Sequence, residues 1–113
     1  MKSKILALSK NEEFKSLLKQ NKISNKYVTV YFGKLANKNK NKLNISFVTK
    51  KKIGNAVKRN KIKRRLRNIM NDAVENITLK FDYSYLVIAK PTMLKNEYTI
   101  IKEILFRDLG RIR

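Results

Sequence analysis

Residues 50–70 read KKKIGNAVKRNKIKRRLRNIM, and between Lys50 and Arg67 they hold ten Lys or Arg and no Asp or Glu. This stretch fixes where the main helix lies and what its outer side is built to meet. Asn55 is a residue type that caps helix N-termini, and Gly54 supplies a tight turn before it. From Ala56 to about Val74, Ile62, Leu66, Ile69, Met70 and Ala73 recur at helical spacing and gather within about 100° of the helical wheel. The far side carries Asn60, Arg64 and Arg67, flanked by Lys61 and Lys63. The pairs Arg59/Lys63, Lys61/Arg65 and Lys63/Arg67 place like charges one turn apart, each costing about 0.2–0.5 kcal/mol in an isolated helix. Cations in the first turns also oppose the helix dipole. A phosphate backbone alongside reverses both effects.

The charge pattern extends well beyond this helix. The 113-residue chain has a net charge of +20, a pI near 10.4, and 28 Lys or Arg against eight acids. From Phe14 through Asn71 there are 18 Lys or Arg and no acid at all. An ordinary solvated helix face mixes its charges. A single-sign field over 58 consecutive residues instead points to a polyanion as the usual partner. The apolar content of 42%, with five Tyr and five Phe, marks a folded chain rather than a basic tail.

The chain contains no Cys and no His, which excludes disulfides, thiol nucleophiles and imidazole acid–base chemistry, and leaves no zinc-site pattern. The run ILAL near the start is too short for a signal-peptide core, and no segment approaches the roughly 20 apolar residues of a membrane span. The expectation is a soluble, cytoplasmic, single-domain protein spanning 1–113.

Working outward, Ser9 followed by Glu12 reads as a capping box for a first helix running to about Gln20, with Phe14, Leu17 and Leu18 on one face. KYVTVYFG (26–33) alternates Tyr27, Thr29 and Tyr31 against Val28, Val30 and Phe32, as a strand does. LNISFVT (43–49) alternates again, and the two runs are expected to pair as an antiparallel hairpin across a polar connection. After the basic helix, FDYSYLVIA (81–89) is a strand with Leu86 and Ile88 on one face and Tyr83, Tyr85 and Val87 on the other. Pro91 ends it, and Asn96 is the expected cap of a last helix with the stripe Tyr98, Ile101, Leu105 and Leu109. The order is α-β-β-α-β-α, with room for one more short strand. That is an α+β fold, three helices on one small sheet.

Residues 52–67 resemble the signature of the bacterial ribonuclease P protein subunit, K-x-G-x-A-V-x-R-N-x-x-K-R-x-x-R. Lys52, Gly54, Ala56, Val57, Arg59, Asn60, Lys63, Arg64 and Arg67 match it, nine placed residues in a 16-residue window. The KNEEF segment, the strands and the last helix extend the likeness over nearly the whole chain. The family often has Arg where Lys61 stands, and lysine keeps the charge but loses the bidentate fork.

The resemblance implies an α/β sandwich on a mixed sheet, with the basic helix in a left-handed crossover between parallel strands, against the general rule of hand. It also implies an accessory protein subunit of an endoribonuclease that matures the 5′ ends of tRNA. The partners so implied are a catalytic RNA and precursor tRNA, with chemistry performed by the RNA and its magnesium. No catalytic residue and no metal ligand is assigned to the chain itself. The RNA-binding residues implied are Lys52, Gly54, Arg59, Asn60, Lys61, Lys63, Arg64 and Arg67. A cleft for the single-stranded 5′ leader is expected to include Phe14 and Tyr31, with Tyr27 beside them, since aromatic faces stack on any base. From burial statistics alone, Phe14 on an amphipathic helix reads as core.

Two rivals remain at this level. A ribosomal type of RNA-binding protein shares the charge, size and α/β build. A DNA-binding protein using the basic helix in a major groove lacks a second helix in helix-turn-helix arrangement and a dimerising seam. No DNA and no membrane partner is expected.

Overall fold

The computed structural model describes residues 5, 6, 8, 11–35, 43–76, 82–95 and 97–112. Five strands form one mixed sheet: β1 (Ile5–Leu6), β2 (Asn21–Ser24), β3 (Val28–Lys34), β4 (Leu43–Val48) and β5 (Tyr83–Ala89). Their order across the sheet is β1-β4-β5-β3-β2. Three α-helices accompany them: α1 (Asn11–Leu18), α2 (Ala56–Asn76) and α3 (Tyr98–Leu109). The α+β class and the three helices stand as read from the sequence. The sequence left room for one short strand beyond its three, and the structure has two, β1 and β2, one at each edge of the sheet.

The expected hairpin does not form. β3 and β4 are not neighbours, because β5 lies between them, antiparallel to β3 and parallel to β4. The reason lies in burial. The β5 segment YSYLVIA is apolar on both faces, with Ser84, Tyr85, Leu86, Val87 and Ala89 all buried, as a central strand requires. β4 and β5 are therefore joined by α2 as a crossover between adjacent parallel strands.

Strand alternation sorts the two faces. Odd positions of β4 and β5 (Leu43, Ile45, Tyr85, Val87, Ala89), with Val28 and Val30 of β3, pack against Ile62, Leu66, Ile69 and Met70 of α2. Ile101, Leu105 and Leu109 of α3 complete that core. Leu86 faces the other way, onto Leu8 and Leu17, with Phe14, Tyr31, Leu35, Val48 and Ile88 partly buried around them. The sheet thus separates α1 from α2 and α3. Burying these side chains is worth about 1.5–3 kcal/mol for each large aliphatic, so the α2 stripe is a principal anchor of the fold.

The expected cap Ser9 lies outside the described residues, and α1 begins at Asn11. Asn55 caps α2 as expected: its Oδ1 accepts from the Lys58 amide at 3.0 Å. Asn96 lies outside the described residues, and Glu97 occupies the N-cap of α3 without a side-chain cap hydrogen bond.

Candidate nucleic-acid interface

Between β4 and α2 the chain makes a single 3-10 turn, Lys51–Ile53, in which the amides of Ile53 and Gly54 donate to the carbonyls of Lys50 and Lys51. Ile53 is driven into the core, and this turns Lys50, Lys51 and Lys52 outward. Gly54 follows at φ 154° and ψ −164°, a conformation reserved almost wholly for glycine. A Cβ there would also stand 2.9 Å from Cδ of Lys58. This turn aims the first residues of α2 and brings the exposed lysines next to the helix start.

Along α2, Asn60, Lys61, Arg64 and Arg67 are exposed and Lys63 is half-buried. Arg59 differs from them. It falls on the same stripe as Ile62 and Leu66, is half-buried, and its Nε is shut away from solvent with no hydrogen-bond partner among the described residues. Arg65 leans off the stripe toward the turn Pro91–Leu94, its Nη1 donating to the Met93 carbonyl at 3.4 Å. Val57, one of the matched signature residues, is 77% exposed at the start of the helix. Among the described residues, no acid lies between the end of β4 and Asp72 to neutralise this surface.

The second surface lies across the sheet, beneath α1. Strand register sets its floor in rows: Asn44, Ser84 and Gly33; then Ser46, Leu86 and Tyr31; then Val48, Ile88 and Thr29. Leu17 of α1 packs on Leu86 of the second row, and the segment just after the helix covers the first. Gln20 lies over Gly33, where an added Cβ would come within 2.0 Å of its Oε1, and its Nε2 donates to Ser16 Oγ and the Lys34 carbonyl. Asn44 and Ser84 are buried below it. The last row is only partly buried, as is Tyr31 in the second, so Tyr31, Val48, Ile88 and Thr29 present an aromatic and aliphatic floor with Phe14 at its side. Leu18, one turn beyond Phe14 on α1, stands 48% exposed.

Phe14 and Tyr31 are therefore brought together around Leu17 and Leu86. Tyr27 is not, which corrects its expected place in the cleft. It is 2% exposed and packs in the core on the α2 and α3 side. The cause is local: Asn25 Oδ1 accepts from the amides of both Tyr27 and Val28, so residues 25–27 form an Asx turn and β3 starts only at Val28. Tyr27 precedes the pleat and does not share the face of Tyr31. Val48, Ile88 and Thr29 were missed as floor residues, because their grouping depends on β5 lying between β3 and β4.

The two surfaces meet at one end of the sheet. Val48 on the floor is two residues from Lys50, where the basic turn begins. No helix among the described residues is long and apolar enough to cross a membrane.

Comparison with known proteins follows the same outline. A family model described as Ribonuclease P matches residues 3–113. The ribonuclease P protein component of Carboxydothermus hydrogenoformans is 33% identical over 100 residues, which is 85% of this chain and 81% of that protein. Among solved structures, the RNase P protein from Thermotoga maritima superposes with a TM-score of 0.79 at 25% identity, covering 96% of this chain and 98% of that one. The Staphylococcus aureus RNase P protein gives 0.76 at 26% identity, covering 91% of each chain. With its signature helix, its sheet order and a match across almost its full length, the chain belongs to the ribonuclease P protein family.

Proposed function

We propose that this chain, acting as one RNA-binding domain over 1–113, joins a catalytic RNA through α2 and the turn before it. It then guides the 5′ leader of precursor tRNA across the sheet face beneath α1. As a ribonuclease P protein it is the accessory, RNA-binding subunit of a tRNA-processing endoribonuclease, and nothing favours the ribosomal-protein alternative.

The observation that carries the finer reading is the division of the molecule by its sheet. One side presents a helix whose outer face is cationic and otherwise uncompensated. The other presents a partly exposed aromatic and aliphatic floor with no fixed hydrogen-bonding pattern to demand a base sequence. Lys52, Lys61, Lys63, Arg64 and Arg67 suit phosphates, which position without specifying, and Asn60 adds a hydrogen-bonding amide among them. Arg59 contributes from the inner edge of that surface. Phe14 and Tyr31 suit base stacking, at about 1–3 kcal/mol per base.

Hydrolysis itself is assigned to the RNA, with magnesium the metal expected there. Among the described residues no three of His, Cys, Asp or Glu gather where they could hold an ion. What the protein supplies is neutralisation of phosphate repulsion and a platform for the leader. Action in the cytoplasm, where precursor tRNA is made, belongs to the same reading.

The test is reconstitution with a bacterial ribonuclease P RNA at low magnesium. Restored 5′ cleavage of precursor tRNA, with tighter binding to that RNA than to ribosomal RNA, supports the proposal. Failure of both overturns it.

A further inference from the structure

The register of the β2–β3 strand pair places a cation beside the half-buried Tyr31. Lys22 of β2 lies directly opposite Tyr31 of β3, and Ser24 lies opposite Thr29. Directly opposed residues in an antiparallel pair share a face, with Cβ atoms about 4.5–5.5 Å apart. Lys22 therefore stands on the same side of the sheet as Tyr31, Leu86 and Phe14, at the edge of the floor. It is exposed, and no hydrogen bond or ion pair holds its ammonium among the described residues.

Lys90, a second lysine near this corner, is already committed. Lys90 Nζ donates to Ser24 Oγ at 3.0 Å and to the Asn25 carbonyl, and so ties the β2–β3 turn to the end of β5. The floor is sealed at one end by Gln20 over Gly33, and β4 is flanked by β1. Among the described residues the sheet ends at β2. A single strand lying on Tyr31 and leaving by this side passes Lys22 first.

We infer that Lys22 is a specificity-determining residue for leader-bearing substrate, pairing with the phosphate next to the nucleotide whose base stacks on Tyr31. This rests on the reading of the sheet face as the leader site. It adds a backbone contact that stacking alone does not give, and it predicts over which edge the strand runs. The competing role for a lysine on an edge strand is to keep other chains from pairing with it. A glutamate serves that purpose equally well and repels phosphate, so the two roles separate.

The experiment compares reconstituted holoenzymes carrying Lys22→Ala, Lys22→Glu, Tyr31→Ala and, as a control for lost charge, Lys95→Ala in the turn after Pro91. Affinities for precursor tRNA with a leader of several nucleotides and for mature tRNA are measured against salt. Lys22→Ala should reduce the preference for the leader-bearing form about 2–5-fold and lower its salt slope by about 0.7, the value for one phosphate of a single strand. Lys22→Glu should reduce the preference further and leave the oligomeric state of the wild type unchanged, while Lys95→Ala leaves the preference intact. If both Lys22 variants keep the wild-type preference while Tyr31→Ala loses it, the inference is overturned and the leader site stands. If Tyr31→Ala is also silent, site and inference fall together. Equal losses for mature and leader-bearing tRNA would likewise overturn it, reducing Lys22 to a share of the general field.

Discussion

Asn25 and Asp108, 83 positions apart, are joined by a 2.8 Å hydrogen bond from Asn25 Nδ2 to Asp108 Oδ2. The same asparagine accepts the amides of Tyr27 and Val28 through its Oδ1. One side chain therefore shapes the turn that starts β3 and satisfies a carboxylate only 6% exposed at the end of α3. Asp108's other partners are Arg107 and Arg111, at 3.2 and 3.9 Å and both largely in solvent.

Asn25→Ala should cost about 2–3 kcal/mol, because it strands two amides and removes the neutral donor to a buried charge. Urea unfolding in sulfate buffer measures this. A loss no larger than that of an ordinary exposed substitution would show the contact to be incidental. Asn25→Asp should be worse than alanine at neutral pH, since it sets a second carboxylate against Asp108.

Tyr27 and Tyr31, four residues apart, should behave oppositely. Tyr27 is buried among the core of α2 and α3, so Tyr27→Ala should destabilise by about 3–5 kcal/mol. Tyr31 is partly exposed over Leu86, and Tyr31→Ala should cost about 1 kcal/mol or less, at the low end of apolar burial. Its effect should fall on leader preference instead. Thermal unfolding and paired affinities for precursor and mature tRNA distinguish them. A large stability loss for Tyr31→Ala would return that residue to the core.

These two tyrosines also mark how far the sequence could be read. The buried side of α2 was legible residue by residue, since Ile62, Leu66, Ile69, Met70 and Ala73 follow a period that the helix itself imposes. The faces of β5 were legible for the same reason at period two. What alternation could not supply was the strand order. Neighbours in sequence usually pair, and only the burial of both faces of β5 separates β3 from β4. Nor could it supply where β3 begins: Tyr31 lies opposite Val28 and Val30 as alternation has it, but the turn made by Asn25 leaves Tyr27 ahead of the strand. The basic surface of α2 was thus visible early, whereas the cleft floor (Tyr31, Val48, Ile88, Thr29) required the topology.

Gly54→Ala tests the entry to α2. The backbone at φ 154° strains any side chain, at about 1–3 kcal/mol, and the added methyl would press on Lys58. The expected result is a lower melting temperature together with a several-fold loss of affinity for the RNA, since the turn carrying Lys50–Lys52 must shift. Retained RNA affinity with only lowered stability would mean that the turn recovers its path. The lysines would then not depend on it.

Lys102 and Asp72 connect α3 to α2 at 2.8 Å. The hydrogen bond to Asp72 holds the Lys102 ammonium above its usual value of 10.5, with a smaller opposing effect from burial. A raised lysine favours the folded state while protonated. The contribution is therefore complete below the unfolded value and disappears as pH climbs through the folded one. Stability of the wild type should fall more steeply than that of Asp72→Asn as pH rises beyond the ordinary lysine value of 10.5. Parallel curves for the two proteins in that range would remove the pair from the account.

Arg64 lies on the exposed side of α2, opposite the stripe of Ile62 and Leu66, with no hydrogen bond or ion pair among the described residues. A residue so placed cannot be serving the core. Arg64→Ala should leave unfolding unchanged within about 0.5 kcal/mol, the range of ordinary surface substitutions. Binding to the catalytic RNA should weaken, and the dependence of log affinity on log salt should flatten by about 0.9, one phosphate of a duplex. Arg64→Lys separates charge from geometry. If the guanidinium grips a phosphate with two parallel hydrogen bonds, lysine restores the slope but not the affinity. If only charge matters, lysine restores both, and an unaltered slope in Arg64→Ala would place the RNA on another face of the molecule.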